Sequence, residues 1–229
     1  MKKINDIAHF RNMFERDMGK ADEYIKIEQQ VIESYRGILP DELLMYWEKD
    51  GWCSYQNGLF WLVNPADYDE VMRDYLALTP LKDRKNLYVV ARSAFGKLYI
   101  WERSKGNITN ISLIRNSIVL QAAKDRQNLT AEEEEFEMNR FIGTSEPSDF
   151  EVKDTSGKPM FDRALKKFGR LKSNEMYGYK LNPALGGKEG ITNLDKLDLF
   201  IYADIQLQLD APEYWISDTE NNTITTFGR

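Results

Sequence analysis

Apolar residues in the first quarter of the chain recur at helical spacing. Ile4, Ile7, Ala8, Phe10, Phe14 and Met18 fall three or four positions apart, which predicts an amphipathic helix over 4–18. Tyr24, Ile27, Val31 and Tyr35 continue that pattern, and Gly37 stands where a C-cap would end it, so a second helix is expected over 21–35. In LPDELLMYWEKDG, Pro40 suits a first helical position, Asp41 and Glu42 complement the dipole of the first turn, and Gly51 closes the segment. The period then changes. WCSYQNGLFWLVN reads as a hairpin about Asn57-Gly58, because aromatic and branched residues flank a dipeptide that adopts positive φ readily. Pro65 opens a further helix with Val71, Met72, Tyr75 and Leu76 turned inward. Strands are expected at 87–94 and 97–104, broken at Phe95-Gly96, and the runs at 107–114 and 117–121 extend them into a meander.

The second half is more interrupted. Thr130 and Glu133 have the spacing of a capping box, in which each side chain satisfies the other's backbone N–H, so a helix begins at TAEEEEFEMNRFIG. The stretch 143–159 is rich in Gly, Ser, Pro and charge and reads as a linker. Beyond it come a helix at Met160–Phe168, a strand around Met176–Leu181, the loop NPALGGKEG, a helical run from Asn193 to Leu209, and a terminal hairpin about Asn221-Asn222. The expected fold class is α+β: an antiparallel, meandering sheet flanked by helices over 1–142, a linker over 143–159, and a smaller, mainly helical C-terminal subdomain over 160–229 packed on it.

With 229 residues, 42% of them hydrophobic and 30% charged, the chain can bury a sizeable core without staples. Its single cysteine, Cys53, excludes an intrachain disulfide framework and suits a reducing compartment. The N-terminus lacks the apolar core of a signal peptide, and no stretch approaches the roughly 18 consecutive apolar residues of a membrane span. A cytoplasmic location is expected, with no membrane partner. The net charge of -6 and pI near 5.1 argue against nucleic acid, whose phosphates need a basic face, and suit a basic protein partner.

Residues with catalytic chemistry are sparse. The only histidine, His9, lies beside Phe10 on the first helix, where a packing or surface role is the default reading. One histidine and one cysteine do not supply the common zinc sets or the usual nucleophile-base pairs. Ala184-Leu185-Gly186-Gly187-Lys188 lacks the spacing of a phosphate loop and reads as a turn set by paired glycines. Trp47, Trp52, Tyr55, Phe60, Trp61, Tyr68 and Tyr75 crowd one segment and are assigned to the core. No catalytic residue, cofactor, metal or small-molecule substrate is expected.

Three separated stretches carry a family resemblance: 39–68 (LPDELLMYWEKDGWCSYQNGLFWLVNPADY), 91–102 (ARSAFGKLYIWE) and 175–209 (EMYGYKLNPALGGKEGITNLDKLDLFIYADIQLQL). The first two resemble the GAD-like domain. The third is similar to the C-terminal domain that accompanies it in immunity proteins against DNase effectors of type VI secretion. LPxELLxxW alone also resembles the SUKH group, so the alternative is a SUKH-like interaction or regulatory module without a nuclease partner. The resemblance implies a non-enzymatic, cytosolic antidote that binds its cognate toxin, a basic nuclease domain, and blocks its active site or its access to DNA. The densest run of negative charge, Glu132, Glu133, Glu134 and Glu135, is the expected toxin-contacting patch.

Overall fold

The structure is a computed structural model that describes the backbone of residues 2–227 and the side chains of residues 8–226. Helix α1 (Lys2–Met18) forms as its spacing predicts and buries Phe14 and Met18; Ile4 and Ile7 lie outside the described side chains. Strand β1 (Tyr24–Ile25) and helix α2 (Gln29–Ser34) follow. The expected helix over 21–35 is therefore cut short. The Asp22 N–H donates to the Ser54 carbonyl and the Ser54 N–H to the Glu23 carbonyl, at 2.8 Å each, so sheet pairing overrides helical spacing in this segment.

Helix α3 (Asp41–Asp50) leads into β2 (Trp52–Tyr55) and β3 (Phe60–Leu62). The hairpin is as expected, but its loop is longer than the Asn-Gly dipeptide. Tyr55 pairs with Phe60, and Gln56, Asn57 and Gly58 all adopt positive φ, at 52°, 60° and 93°. A short 3-10 turn from Pro65 precedes α4 (Asp69–Leu76), which buries Val71, Met72, Tyr75 and Leu76. The meander β4 (Leu87–Ser93), β5 (Lys97–Glu102), β6 (Gly106–Ser112) and β7 (Ser117–Gln121) is antiparallel throughout.

After α5 (Ala122–Arg126), helix α6 (Ala131–Gly143) starts at Thr130 with the expected capping box, and α7 (Pro147–Phe150) and α8 (Phe161–Phe168) follow. Strands β8 (Glu175–Tyr179) and β9 (Leu194–Asp198) form a separate two-stranded sheet, and α9 (Leu199–Leu209) leaves directly from β9. The expected helical run from Asn193 thus begins as a strand. Its helix waits for Asp198, whose carboxylate accepts the N–H groups of Phe200 and Ile201 at 3.0 Å each. Strands β10 (Glu213–Asp218) and β11 (Thr223–Phe227) form the expected terminal hairpin.

That hairpin does not stay with the C-terminal helices. Strand β10 pairs in parallel with β7, so the main sheet has nine strands in the order β1-β2-β3-β4-β5-β6-β7-β10-β11. Asn116 secures the junction: its carbonyl accepts from Glu213 N–H and its amide donates to the Asp210 carbonyl, both at 2.9 Å. Within 143–159, expected as a linker, Gly143, Ser145 and Phe150 are buried. Phe150 is buried and stacks on Phe60 with ring centroids 4.4 Å apart. Arg92 adds a further tie: buried on β4, it stacks 4.4 Å over Trp61 and donates to the Ser173 carbonyl at 3.0 Å, ahead of β8. All seven crowded aromatics pack inward, six fully and Trp52 in part. Among the described residues no helix is long and apolar enough to cross a membrane.

Candidate functional site

Acid groups were the sequence's best pointers to a surface, and α6 carries the densest set. The helix docks against α1 and α3, and this docking decides where its carboxylates go. At Gly143 a Cβ would press into Phe10, so only glycine permits α1 and α6 to approach this closely. Glu134 is buried, and its carboxylate accepts the Trp101 indole N–H at 2.9 Å. Glu135 is half-buried and accepts the N–H groups of Asp41 and Glu42 at 2.8 and 2.9 Å, which caps α3 where its own Pro40 offers no side-chain acceptor. Burial pushes the Glu135 carboxyl above its ordinary value, and those two N–H groups oppose the rise. Glu133 serves the capping box, whose Thr130 N–H and hydroxyl hold its carboxyl below the ordinary value.

Of the four expected contact residues, only Glu132 and Glu133 are exposed. The four do not make one solvent-facing patch, because a helix docked on three sides turns successive residues into different surroundings. His9 is exposed beside Phe10, with ring centroids 6.2 Å apart. Cys53 is fully buried, and desolvation pushes its thiol up to about 12. The paired glycines sit in a turn, with Gly186 at φ 89° and Gly187 pressed against the Leu181 carbonyl too closely for any Cβ. Among the described residues, no cluster of His, Cys, Asp and Glu is placed to hold a metal ion.

A different acidic surface lies between α4 and α9. Helix α9, LFIYADIQLQL, buries Leu199, Tyr202, Ala203 and Gln206. Its opposite side presents Ile201, Ile205 and Leu209, which are 63%, 47% and 47% exposed and lie four residues apart on one ridge. Beside that ridge, the groove against α4 encloses about 450 Å³ and is walled by Asp67, Glu70, Asp74 and Asp204, with Phe200 and Ile201 on its apolar side. No cationic side chain lines it. Burial raises the Asp67 carboxyl above its ordinary value despite a bond from the Asn64 amide at 2.9 Å.

Charge separates this groove from the others. The groove between α1 and α3, about 730 Å³, sets Arg11, Lys20 and Lys49 against Glu15, Glu48 and Asp50. The cleft of about 550 Å³ beside β10 places Arg115 among Glu189, Asp210 and Glu213. Of these three grooves, the one between α4 and α9 sets acidic lining residues without a lining cation beside an exposed apolar ridge. The signal for it is present in the sequence: α9 is apolar on nearly every side, whereas a helix packed on one face needs only one apolar stripe.

Comparison with known proteins bears on both halves. Residues 9–115 match the family model of the GAD-like domain, and residues 135–210 match that of the T6SS immunity protein Tdi1, C-terminal. The second match begins inside α6, ahead of the stretch expected as a linker, and includes α9. No curated protein matches the chain. Among solved structures, the crystal structure of Atu4351 from Agrobacterium tumefaciens superposes with a TM-score of 0.79 at 23% identity, covering 96% of this chain and 98% of that one. That likeness establishes the shared fold. The chain is therefore similar to the GAD-like domain over 9–115 and to the C-terminal domain of the T6SS immunity protein Tdi1 over 135–210, in the order its sequence motifs suggest.

Proposed function

We propose that this protein is an immunity protein of a type VI secretion system, acting in the cytosol by binding a cognate DNA-cleaving effector and blocking its active site or its access to DNA. The observation that carries this reading is the match of residues 135–210 to the Tdi1 C-terminal model, following a GAD-like match over 9–115. Charge supports the nuclease part. A DNase must present a basic face to DNA, and a chain of net charge -6 is electrostatically suited to meet it and to speed the encounter. The role needs binding and no turnover. Co-expression with the nuclease-domain effector encoded beside the gene tests it directly, with cell survival, chromosomal integrity and co-purification as readouts. Survival with a stable complex is the expected result. Death of the cells without co-purification overturns the reading.

A further inference from the structure

We infer that the α4–α9 surface is where the effector docks, and that its occupant is a basic segment of the nuclease domain whose apolar side chains cover Ile201, Ile205 and Leu209. This inference rests on the immunity reading and adds the surface and the chemistry of its partner. Two independent features agree. The ridge leaves three large apolar side chains in water on a helix that already buries its own Leu199, Tyr202, Ala203 and Gln206 against the core. An exposed ridge of this kind costs solubility unless a partner uses it. The groove beside it is walled by Asp67, Glu70, Asp74 and Asp204 without a cation among its lining residues, so it complements lysines or arginines. Arg73 stands on α4 next to Asp74 at 3.9 Å, outside that lining.

The arrangement has the anatomy of a protein interface, an apolar centre flanked by polar groups. It also fits the division of labour expected there. The ridge supplies affinity through desolvation, while the carboxylates supply orientation and association rate. A basic segment would gain from both at once. An acidic partner would be repelled, and a purely apolar one would leave the Glu70 and Asp204 carboxylates facing it without a counter-charge. Both sides of the surface come from elements held by the core: α4 through Tyr75 and Leu76, and α9 through its N-cap Asp198 and buried Tyr202. The partner therefore meets a preformed surface.

The test uses the full chain and the nuclease domain of the adjacent effector, with calorimetric affinity, protection in cells and the solution mass of the free protein measured side by side. Ile205→Arg is expected to weaken binding about 30-fold or more, the loss of one interfacial anchor. The pair Glu70→Lys and Asp204→Lys is expected to lower the association rate about tenfold and to flatten its dependence on salt. Ile224→Arg, on the 70% exposed site of β11, serves as the matched control and should bind as wild type. Near-wild-type affinity of the Ile205→Arg and charge-reversed proteins, with wild type bound and protective, overturns the assigned surface and leaves the immunity reading intact. Failure of wild type itself to bind or protect overturns both. A wild-type dimer that Ile205→Arg converts to monomer, with effector affinity unchanged, assigns the ridge to a second copy of this chain instead.

Discussion

Helix α6 and the α4–α9 surface are both acidic, yet their carboxylates do different work. On α6, Glu134 holds the Trp101 indole, Glu135 caps α3 and Glu133 closes the helix's own capping box. Around α4 and α9, Asp67, Glu70, Asp74 and Asp204 line a groove beside an exposed apolar ridge, with no cation among the lining side chains. Acidic density along a sequence therefore does not locate an acidic surface. A carboxylate that meets an N–H inside the fold is spent on stability, and only one left facing solvent beside apolar area is available to a partner.

The contrast yields a graded set of expectations, beginning inside the fold. Trp101→Ala removes a fully buried indole from between β5 and α6 and should cost about 3–5 kcal/mol in denaturant melts. Glu134→Ala spares the ring but strands its buried N–H, for an expected loss of about 1–3 kcal/mol. Recovery of wild-type stability by the double change Glu134→Leu with Trp101→Phe would sharpen the point, since it removes both polar partners together. Glu135→Ala uncaps α3 and should cost about 1 kcal/mol. Against these, Asp204→Asn should move stability by no more than about 0.5 kcal/mol and change only affinity for the effector. Equal melting losses from Glu134→Ala and Asp204→Asn would erase the distinction between the two regions.

The smallest effect concerns pH. The Thr130 N–H and hydroxyl depress the Glu133 carboxyl below its ordinary 4.5, so the folded state binds its proton less readily than the unfolded chain does. The capping box therefore contributes fully above pH 4.5, and its contribution is lost as pH falls from there through the lower folded value. Glu133→Gln keeps an acceptor but removes this titration. Thermal melts of the two proteins should diverge at neutral pH and converge toward pH 3. Parallel curves across that range would deny the linkage. Cys53 gives a separate check on the core: with its thiol buried and raised to about 12, it should resist a thiol reagent at pH 8 until denaturant is added.

Much of this was readable from local chemistry. The capping box at Thr130 and Glu133, the inward set Val71, Met72, Tyr75 and Leu76, and the β4 to β7 meander are all in place where periodicity and turn residues put them. The errors share a cause. Tyr24 has helical spacing with Ile27 and Val31 but joins β2 together with Ile25, and Leu194 to Asp198 read as helix but pair with β8, because each gains backbone partners that lie far away in the chain. The polar stretch at 143–159 resembled a linker, yet Phe150 finds a ring to stack on across the fold.

The sequence by itself determined the class of element at most positions, the predominance of acid, the scarcity of His and Cys, and the paired family resemblance. Those properties are local or additive, so spacing and composition contain them. Only the tertiary structure decided which carboxylates are consumed. Neighbouring glutamates on α6 point in different directions, and whether each meets Trp101, the N-terminus of α3 or water depends on how α1, α3 and β5 surround the helix. Tertiary structure also decided that β10 lies beside β7 and that Ile201, Ile205 and Leu209 are left exposed, since pairing and burial are relations between distant segments that no single stretch of sequence can express.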